Sequence, residues 1–357
     1  MNSRIALFFK RIFEQRELLL FVPIYFCLSL TNLVLKIHLT PEWTDGTLSG
    51  KHNLLMAFQY YNNEQSRLFQ FLIPEFFHRL FSIYIESSYA LARLLFVFLA
   101  LVVFHFFLRK WFSQAESFAG VVILSGSMAI SFLIQDTQES APLLMLLLVL
   151  ALWAMREKKD LLFGLLLLLG GGLTNETMLI MAAGYFFYRM KNFKIPTLLK
   201  TGWATLLVSA PAFLTQGVIR YINRHQPHLG GAWHLPDNLR GLYFVLINPI
   251  KPIFNHGYYI YPLLIFSIFW VYAAIGYKKS PRFLQAVFWM MPLFIGAHLL
   301  TGLINESRQM IPLGFIVIPM SLFLLFPKNI PKAAWPRETQ EAAVASQPTP
   351  VSGNEAA

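Results

Sequence analysis

Charged residues are scarce in this sequence of 357 residues: Asp, Glu, Lys and Arg together make up 13%, against about 25% in soluble domains. Apolar residues make up 56%, and the mean hydropathy is +0.53. A single soluble globule of this length cannot bury so much apolar surface. The composition therefore excludes an ordinary soluble protein and predicts an all-α protein that crosses a membrane many times.

Cysteine and several common catalytic and nucleotide-binding motifs are also missing. The single Cys27 lies inside the first apolar run, which excludes an intrachain disulfide and argues against a cysteine-based metal site. The sequence has no Gly-rich Lys loop for phosphates, no HExxH and no GxSxG. These absences argue against an ATP-driven pump. No cofactor is indicated, a divalent metal included.

About ten apolar segments follow one another along the chain, and the longest can cross about 30 Å of hydrocarbon. The first, residues 18–37, follows a basic amphipathic segment (1–17) and is predicted to be a retained span. Segments 161–172 and 178–188 are shorter, so they form either a re-entrant hairpin or two short spans. The other segments are 89–108, 118–134, 142–155, 201–219, 258–277, 283–303 and 310–326.

Basic residues indicate how the chain is oriented. The net charge is +11, and 19 of the 29 Lys and Arg residues fall on one side of the predicted membrane. By the positive-inside rule that side is cytoplasmic, so both termini are inside. We therefore expect a multi-pass protein of the plasma (inner) membrane, with lipids rather than nucleic acid as partners. Its transmembrane domain is 18–326, its outer loops are 38–88 and 220–257, and its tail, 327–357, is predicted to be disordered.

The first outer loop carries two early carboxylates, Glu42 and Asp45, and then an amphipathic stretch, 66–84. In that stretch polar residues, among them Arg67 and Arg79, recur at three- and four-residue spacings between Leu and Phe residues. This pattern predicts helices that lie in the membrane interface, with a break or kink at Pro74.

Ionisable residues also lie at the outer ends of the second and third spans. Arg93 falls about one turn inside the second span, where a cation either pairs with a carboxylate or phosphate or snorkels to the headgroups. Two carboxylates, Asp136 and Glu139, follow the third span with no basic neighbour in sequence. Each of the two is a candidate partner for a cation or for a polar substrate.

A short string, Gly-Leu-x-Asn-Glu-Ser/Thr, occurs twice, each time at a predicted outward helix end. One copy holds Asn175 and Glu176, which should lie below the outer surface because the segments on either side are short. The other copy holds Glu306 and is followed by Arg308. Next to apolar runs, these carboxylates favour a functional role over that of solvated loop charges.

The second outer loop carries three histidines, His225, His228 and His234, at a spacing that could bind a divalent metal. No carboxylate or cysteine ligand clearly completes such a site. We therefore favour a polar loop that contacts headgroups or substrate, and we predict no metal site.

Taken together, the layout resembles the polytopic glycosyltransferases of the GT-C fold over about residues 10–326. The shared features are an early acidic residue in the first outer loop, an Arg-containing interfacial stretch (65–74), a Gly-Leu-rich stretch that ends in Thr-x-Glu (164–177), and a late Glu-x-Arg followed by Pro312. The sequence departs from the family where it has Asp45-Gly46 in place of Asp-Pro or Asp-Glu. It also has Asn175 where many members have Lys.

The resemblance implies transfer of a sugar from a polyprenyl-phosphate-linked donor to an extracytoplasmic glycan, lipid or protein acceptor. Cations at the depth of the donor phosphate and a carboxylate that takes the acceptor's proton are the groups this chemistry needs. Asp45 is the first candidate for the general base and Glu42 the second. The candidates for substrate binding are Arg67, Arg79, Arg93, Asp136, Glu139, Asn175, Glu176, Glu306 and Arg308.

Two other functions stay open. A transporter or flippase for a lipid-linked or polar solute would also use half-length segments, because these build midplane sites in transporters. Against it, the sequence shows no clear two-half repeat, and its polar residues concentrate on one face. A membrane scaffold or assembly factor is the third alternative.

Overall fold

The structure is a computed structural model that describes residues 16–60, 63–131, 139–224, 233–247, 257–304 and 306–326. Within these ranges the protein is helical, with no β-strand. Five stretches are long and apolar enough to cross a membrane, namely Leu19–Leu39, Ile85–Leu108, Ile195–Ile222, Arg282–Thr301 and Ser307–Leu325. The prediction of an all-α, membrane-embedded protein is confirmed. The count of about ten segments and the GT-C fold stay predictions.

The α-helices of the described ranges are numbered here in chain order. They are α1 (Arg16–Leu39), α2 (Thr47–Met56), α3 (Leu68–Phe81), α4 (Ile85–Leu108), α5 (Gln114–Ile130), α6 (Ser140–Arg156), α7 (Asp160–Leu167), α8 (Met181–Arg189), α9 (Ile195–Ile222), α10 (Leu235–Ile247), α11 (Tyr261–Leu264), α12 (Phe269–Gly276), α13 (Arg282–Phe288), α14 (Met290–Thr301) and α15 (Gly314–Leu325). The terminal segments 1–15 and 327–357 and most of the loop 220–257 lie outside the described helices.

The centre of the bundle is formed by α4, α5, α6 and α15. The span that ends in α15 is 78% buried inside the protein, whereas α9 is only 17% buried and lies at the periphery. Lipid tails are as apolar as Leu, so helices in a membrane associate through close packing rather than through the hydrophobic effect. Gly276 of α12 is an example, because a Cβ there would collide with the backbone carbonyl of Met320 in α15.

The two half-length segments form a continuous helical pair. Helix α7 passes into a π-helical stretch, Leu168–Thr174, and a 3-10 turn, Glu176–Ile180, leads into α8. The backbone N–H of Asn175 donates to the carbonyl of Gly170 (2.7 Å) and closes the connection between them. A Cβ at Gly170 would overlap the sulfur of Met178, so glycine allows the two arms to touch. The arms are shorter than a full span, as predicted, but each is longer than the predicted segments 161–172 and 178–188.

Two details differ from the sequence expectations. The run 258–277 is interrupted: α11 ends within a few residues, Ser267 has φ 44°, and α12 begins only at Phe269. A residue in the left-handed conformation is a common helix terminator, and here it divides the run. In contrast, α3 continues through Pro74 to Phe81 without a break. Proline removes one backbone donor from that helix but does not end it.

Candidate functional site

Apart from Glu116, which caps α5, the buried charged side chains of the described ranges gather at one end of the bundle, where α1 ends and α4 begins. We call it the polar end. The opposite end, where α4 ends and α5 begins, is called the basic end. At the polar end six charged residues are at most 9% exposed: Lys36, Lys51, Glu64, Arg67, Arg93 and Glu139. Burying a charged group costs free energy unless the group is paired, so each of these residues is expected to have a partner.

Arg93 pairs with Glu139. Its guanidinium lies 2.6 Å from Oε2 of Glu139, and both side chains are buried. The other oxygen, Oε1, is 3.7 Å from Lys36 of α1 and has no hydrogen-bond partner in the described part of the chain. Of the partners predicted for Arg93, the structure therefore shows the carboxylate. Sequence reasoning overlooked Lys36, although a lysine inside the first apolar run was a signal.

A narrow cleft opens beside this pair. It lies between α3, α4 and α6, and its interior, about 10 Å³, has room for about one water molecule. Apolar side chains form most of its walls, with Arg93, Glu139 and Tyr89 among the polar ones. Its lining residues are Phe69, Gln70, Ile73, Pro74, Tyr89, Ala92, Arg93, Phe96, Glu139, Ser140, Pro142, Leu143 and Thr174. The cleft therefore places apolar side chains beside a buried charged pair.

A second buried ion pair holds the loop between α1 and α4 in place. Lys51 of α2 lies 2.7 Å from Oε2 of Glu64, and the amide of Gln70 donates to the same oxygen. The ammonium of Lys51 also lies 5.4 Å from the ring centre of Tyr60. Gln70 belongs to the cleft wall, so this pair supports the cleft from behind.

His52, the next residue of α2, connects three elements. Its Nδ1 is 3.1 Å from the hydroxyl of Tyr89 in α4, and its Nε2 is 3.0 Å from Oε2 of Glu75 in α3. Burial lowers the pKa of His52, although Glu75 opposes that shift. Burial alone would raise the pKa of Glu75, but hydrogen bonds from Arg79 (2.5 Å) and His52 outweigh it and lower the pKa.

Arg67 and Glu176 meet in the bidentate geometry that arginine favours with carboxylates. The two hydrogen bonds are 3.2 Å and 3.1 Å long, and Arg220 of α9 lies 3.5 Å from the same carboxylate. Burial would raise the pKa of Glu176, but the charge and hydrogen bonds of Arg67 hold it at about 2. The neighbouring Asn175 donates to the hydroxyl of Ser140 (3.0 Å), which lines the cleft.

Glu306 and Arg308 form a local pair. Their side chains are 2.8 Å apart, and Gln309 also donates to Glu306. His298 of α14 lies within electrostatic range of Glu306, Glu176 and Arg67, so Glu306 approaches the region of the Arg67–Glu176 pair. Neither Glu306 nor Arg308 lines the cleft.

The two candidate bases lie outside the cleft. Asp45 is exposed at the start of α2, where its Oδ1 accepts a hydrogen bond from the backbone of Thr47 (2.9 Å). Hydrogen bonds from Thr47 lower the pKa of Asp45. Glu42 is half-buried, and one of its carboxylate oxygens is buried with no hydrogen-bond partner in the described ranges. Their role as base stays a prediction.

The remaining candidates are brought together only in part. Arg79 is largely exposed and contacts the site through Glu75. Asp136 and the histidines His225 and His228 lie outside the described residues, and His234 faces Asp237 at 3.6 Å. Among the residues that the structure describes, no group of three or more His, Cys, Asp or Glu side chains could hold a metal ion.

No family model, no curated protein and no solved structure matches this chain. What the site can do must therefore come from its own chemistry. Its ion pairs join six cations to four carboxylates, and Glu42 and Asp45 at the same end balance the overall charge. The cations are Lys36, Lys51, Arg67, Arg79, Arg93 and Arg220, and the carboxylates are Glu64, Glu75, Glu139 and Glu176. At the cleft itself, Lys36 and Arg93 share the single carboxylate of Glu139. An apolar cleft beside such a cluster suits an amphiphile with an anionic head.

Proposed function

We propose that this protein is a membrane glycosyltransferase that moves a sugar from a polyprenyl-phosphate-linked donor to an acceptor on the extracytoplasmic face of the membrane. The observation that carries the proposal is the cleft whose apolar walls end at the Arg93–Glu139 pair. In this proposal the protein works without a resident cofactor and has the GT-C-like arrangement that the sequence resembles.

The walls of the cleft fit the lipid part of such a donor. Phe69 and Ile73 of α3 and Leu143 of α6 offer apolar surface along the cleft. Beside this wall α3 exposes Leu72, Phe76 and Leu80, an i, i+4, i+8 stripe that can rest in the acyl region of the membrane. A polyprenyl chain can thus lie along α3 in the bilayer. In this proposal the cleft widens to admit the end that carries the phosphate, because the cleft as it stands has room for about one water molecule.

The charged groups fit the two polar parts of the reaction. Arginine is the side chain best suited to a phosphate, and Arg93 lies where a lipid phosphate would stop at the head of the cleft. Oε1 of Glu139 has no hydrogen-bond partner in the described ranges and can accept one from a sugar or acceptor hydroxyl. Arg67, Arg220 and Arg308 provide further positive charge nearby.

The orientation follows from the positive-inside rule. Short stretches rich in Lys and Arg, such as 109–110 and 156–159, lie at the basic end, and we propose that this end faces the cytoplasm. The polar end then faces outward in the plasma (inner) membrane. There it meets lipid-linked sugars and the glycans, lipids or proteins of the cell envelope.

The test is transfer by the purified protein in lipid nanodiscs, given radiolabelled polyprenyl-phosphate hexoses and pentoses with cell-envelope lipid and glycan fractions as acceptors. We expect a labelled product from the wild type and at least a ~100-fold lower rate from Glu139→Gln, because the loss of a well-placed catalytic or binding carboxylate costs this much. Asp237→Asn, at an exposed carboxylate of α10, is the matched control and keeps the wild-type rate. No product from the wild type with any donor contradicts the proposal.

A transporter or flippase is the second candidate, and the π-helical stretch Leu168–Thr174 favours it. Such stretches often mark functional sites, and broken half-length helices build binding sites in transporters. Counter-flow of a labelled lipid-linked sugar across sealed vesicles, without a transfer product, would support this candidate over the enzyme.

A further inference from the structure

We propose that Tyr89, His52 and Glu75 form a proton relay that removes the proton of the acceptor hydroxyl from the cleft. The inference rests on the proposed glycosyl transfer. It places proton removal on a side chain of the cleft wall rather than on Asp45, the carboxylate that the sequence favours.

The relay has one end in the cleft and the other near the surface. Tyr89 lines the cleft, and its hydroxyl is within electrostatic range of Glu139. The hydroxyl is 3.1 Å from Nδ1 of His52, and Nε2 of His52 is 3.0 Å from Glu75. Glu75 in turn contacts Arg79, whose side chain is 73% exposed. The hydrogen bonds therefore lead from the cleft to solvent.

The protonation states follow from the neighbours. Glu75 is held ionised by Arg79 and His52, so Nε2 of His52 must carry the hydrogen that bonds to it. In the neutral ring Nδ1 is then an acceptor, and the Tyr89 hydroxyl donates to it. The groups that act on His52 are Glu75 and His78 from α3 and Glu86 from α4. Burial exceeds their combined effect and lowers the pKa of His52, which leaves a neutral base at neutral pH.

The reaction balances with these groups alone. The acceptor oxygen forms a bond to the anomeric carbon of the sugar, and the bond from that carbon to the phosphate oxygen breaks. The electron pair leaves with the polyprenyl phosphate. The acceptor's proton passes to the Tyr89 oxygen as the Tyr89 proton passes to Nδ1 of His52. The resulting imidazolium is stabilised by Glu75 and releases its Nε2 proton through that carboxylate to solvent. After the product leaves, proton exchange returns the neutral ring to the Nε2–H tautomer for the next turnover.

A second tyrosine–histidine pair provides the matched control. The hydroxyl of Tyr25 lies 2.6 Å from Nδ1 of His105, and both side chains are buried. This pair joins α1 to α4 toward the basic end and does not line the cleft. If the Tyr89–His52 hydrogen bond were only structural, removing the tyrosine hydroxyl should have the same effect on kcat at both pairs.

The experiment measures the pH dependence of kcat and the KM for the donor in wild type, Tyr89→Phe, His52→Gln, Asp45→Asn and the control Tyr25→Phe. We expect kcat to fall about 100-fold in the first two variants, with KM unchanged. The wild-type kcat should decrease below the ordinary histidine pKa of 6.5, because protonated His52 cannot accept a proton. This decrease should disappear in His52→Gln. Tyr25→Phe should keep the wild-type kcat and profile.

Other outcomes separate the two proposals. If Tyr89→Phe and His52→Gln keep the wild-type kcat and pH profile, the relay is wrong and glycosyl transfer stands. Loss of transfer in Asp45→Asn alone leads to the same conclusion. No transfer by the wild type overturns both proposals. Size-exclusion profiles and melting temperatures report folding, and Tyr89→Phe, which removes a single oxygen, decides the case if His52→Gln does not fold.

Discussion

The two ends of the helical bundle use the same residue types in different ways. At the basic end, Lys110, Arg156 and Glu157 form ion pairs whose side chains are up to 36% exposed, and Arg189 and Asp160 are similar. At the polar end, the pairs Arg93–Glu139 and Lys51–Glu64 are nearly inaccessible. Exposed pairs contribute little to stability, whereas buried pairs demand desolvation that hydrophobic residues would avoid. The costly arrangement stands beside the cleft, as expected for a functional site.

Glu64→Ala is the change with the largest expected effect on this contrast. It leaves Lys51 buried without its carboxylate, which should lower the free energy of unfolding by about 3–5 kcal/mol. Its counterpart at the basic end, Glu157→Ala, should cost less than about 1 kcal/mol. Thermal and denaturant unfolding in the same detergent measures both. Equal losses of unfolding free energy in Glu64→Ala and Glu157→Ala would contradict this difference between the two ends.

Arg67→Ala should have an intermediate effect that depends on pH. The pKa of Glu176 is about 2 in the folded protein, below its ordinary value of 4.5. The pair with Arg67 therefore contributes its full stability above pH 4.5 and loses it as the pH falls toward 2. At neutral pH we expect Arg67→Ala to cost about 1–3 kcal/mol.

Melting temperatures of wild type and Arg67→Ala between pH 7 and pH 3 check this prediction. The gap between them should narrow below pH 4.5. Arg189→Ala, at the basic end, is the control and should show a smaller gap. If the difference in melting temperature between wild type and Arg67→Ala stays constant from pH 7 to pH 3, then Arg67 does not lower the pKa of Glu176.

Ile73→Trp should have the smallest effect and should weaken only the binding of the donor. A larger side chain in the cleft wall narrows the path for a lipid, and we expect the KM for the donor to rise about tenfold with little change in melting temperature. Leu207→Trp is the matched control, since Leu207 is an exposed apolar side chain of α9 that does not line the cleft. Equal KM values for the two variants would show that the donor does not use the cleft.

The polar end could be predicted from sequence in part. A cation inside a span requires a partner, so Arg93 and the carboxylates after the third span were evident. The choice of Glu139 depends on how α4 packs against α6, which no local pattern specifies. Glu176 was predicted to lie below the surface because its flanking segments are short, but its pairing with Arg67, 109 residues earlier, required the fold.

The relay residues were harder to find. His52 and Tyr89 are 37 positions apart and come from different helices, so sequence spacing did not connect them. A signal existed, since Lys51 and His52 lie between Leu48 and Leu55, the buried apolar residues of α2. Polar residues on the buried face of a helix between two spans indicate a functional site, as a charge within a span does.

Photo-crosslinking tests the central claim, that the cleft at the polar end binds a lipid phosphate, most directly. Protein in nanodiscs is irradiated with a polyprenyl phosphate that carries a diazirine in the isoprenoid unit next to the phosphate, and labelled peptides are mapped by mass spectrometry. We expect label on Phe69, Ile73 and Leu143 of the cleft wall, and loss of that label with excess unlabelled polyprenyl phosphate. Label confined to the lipid-facing surface of α9, or label that excess ligand does not displace, would contradict the account.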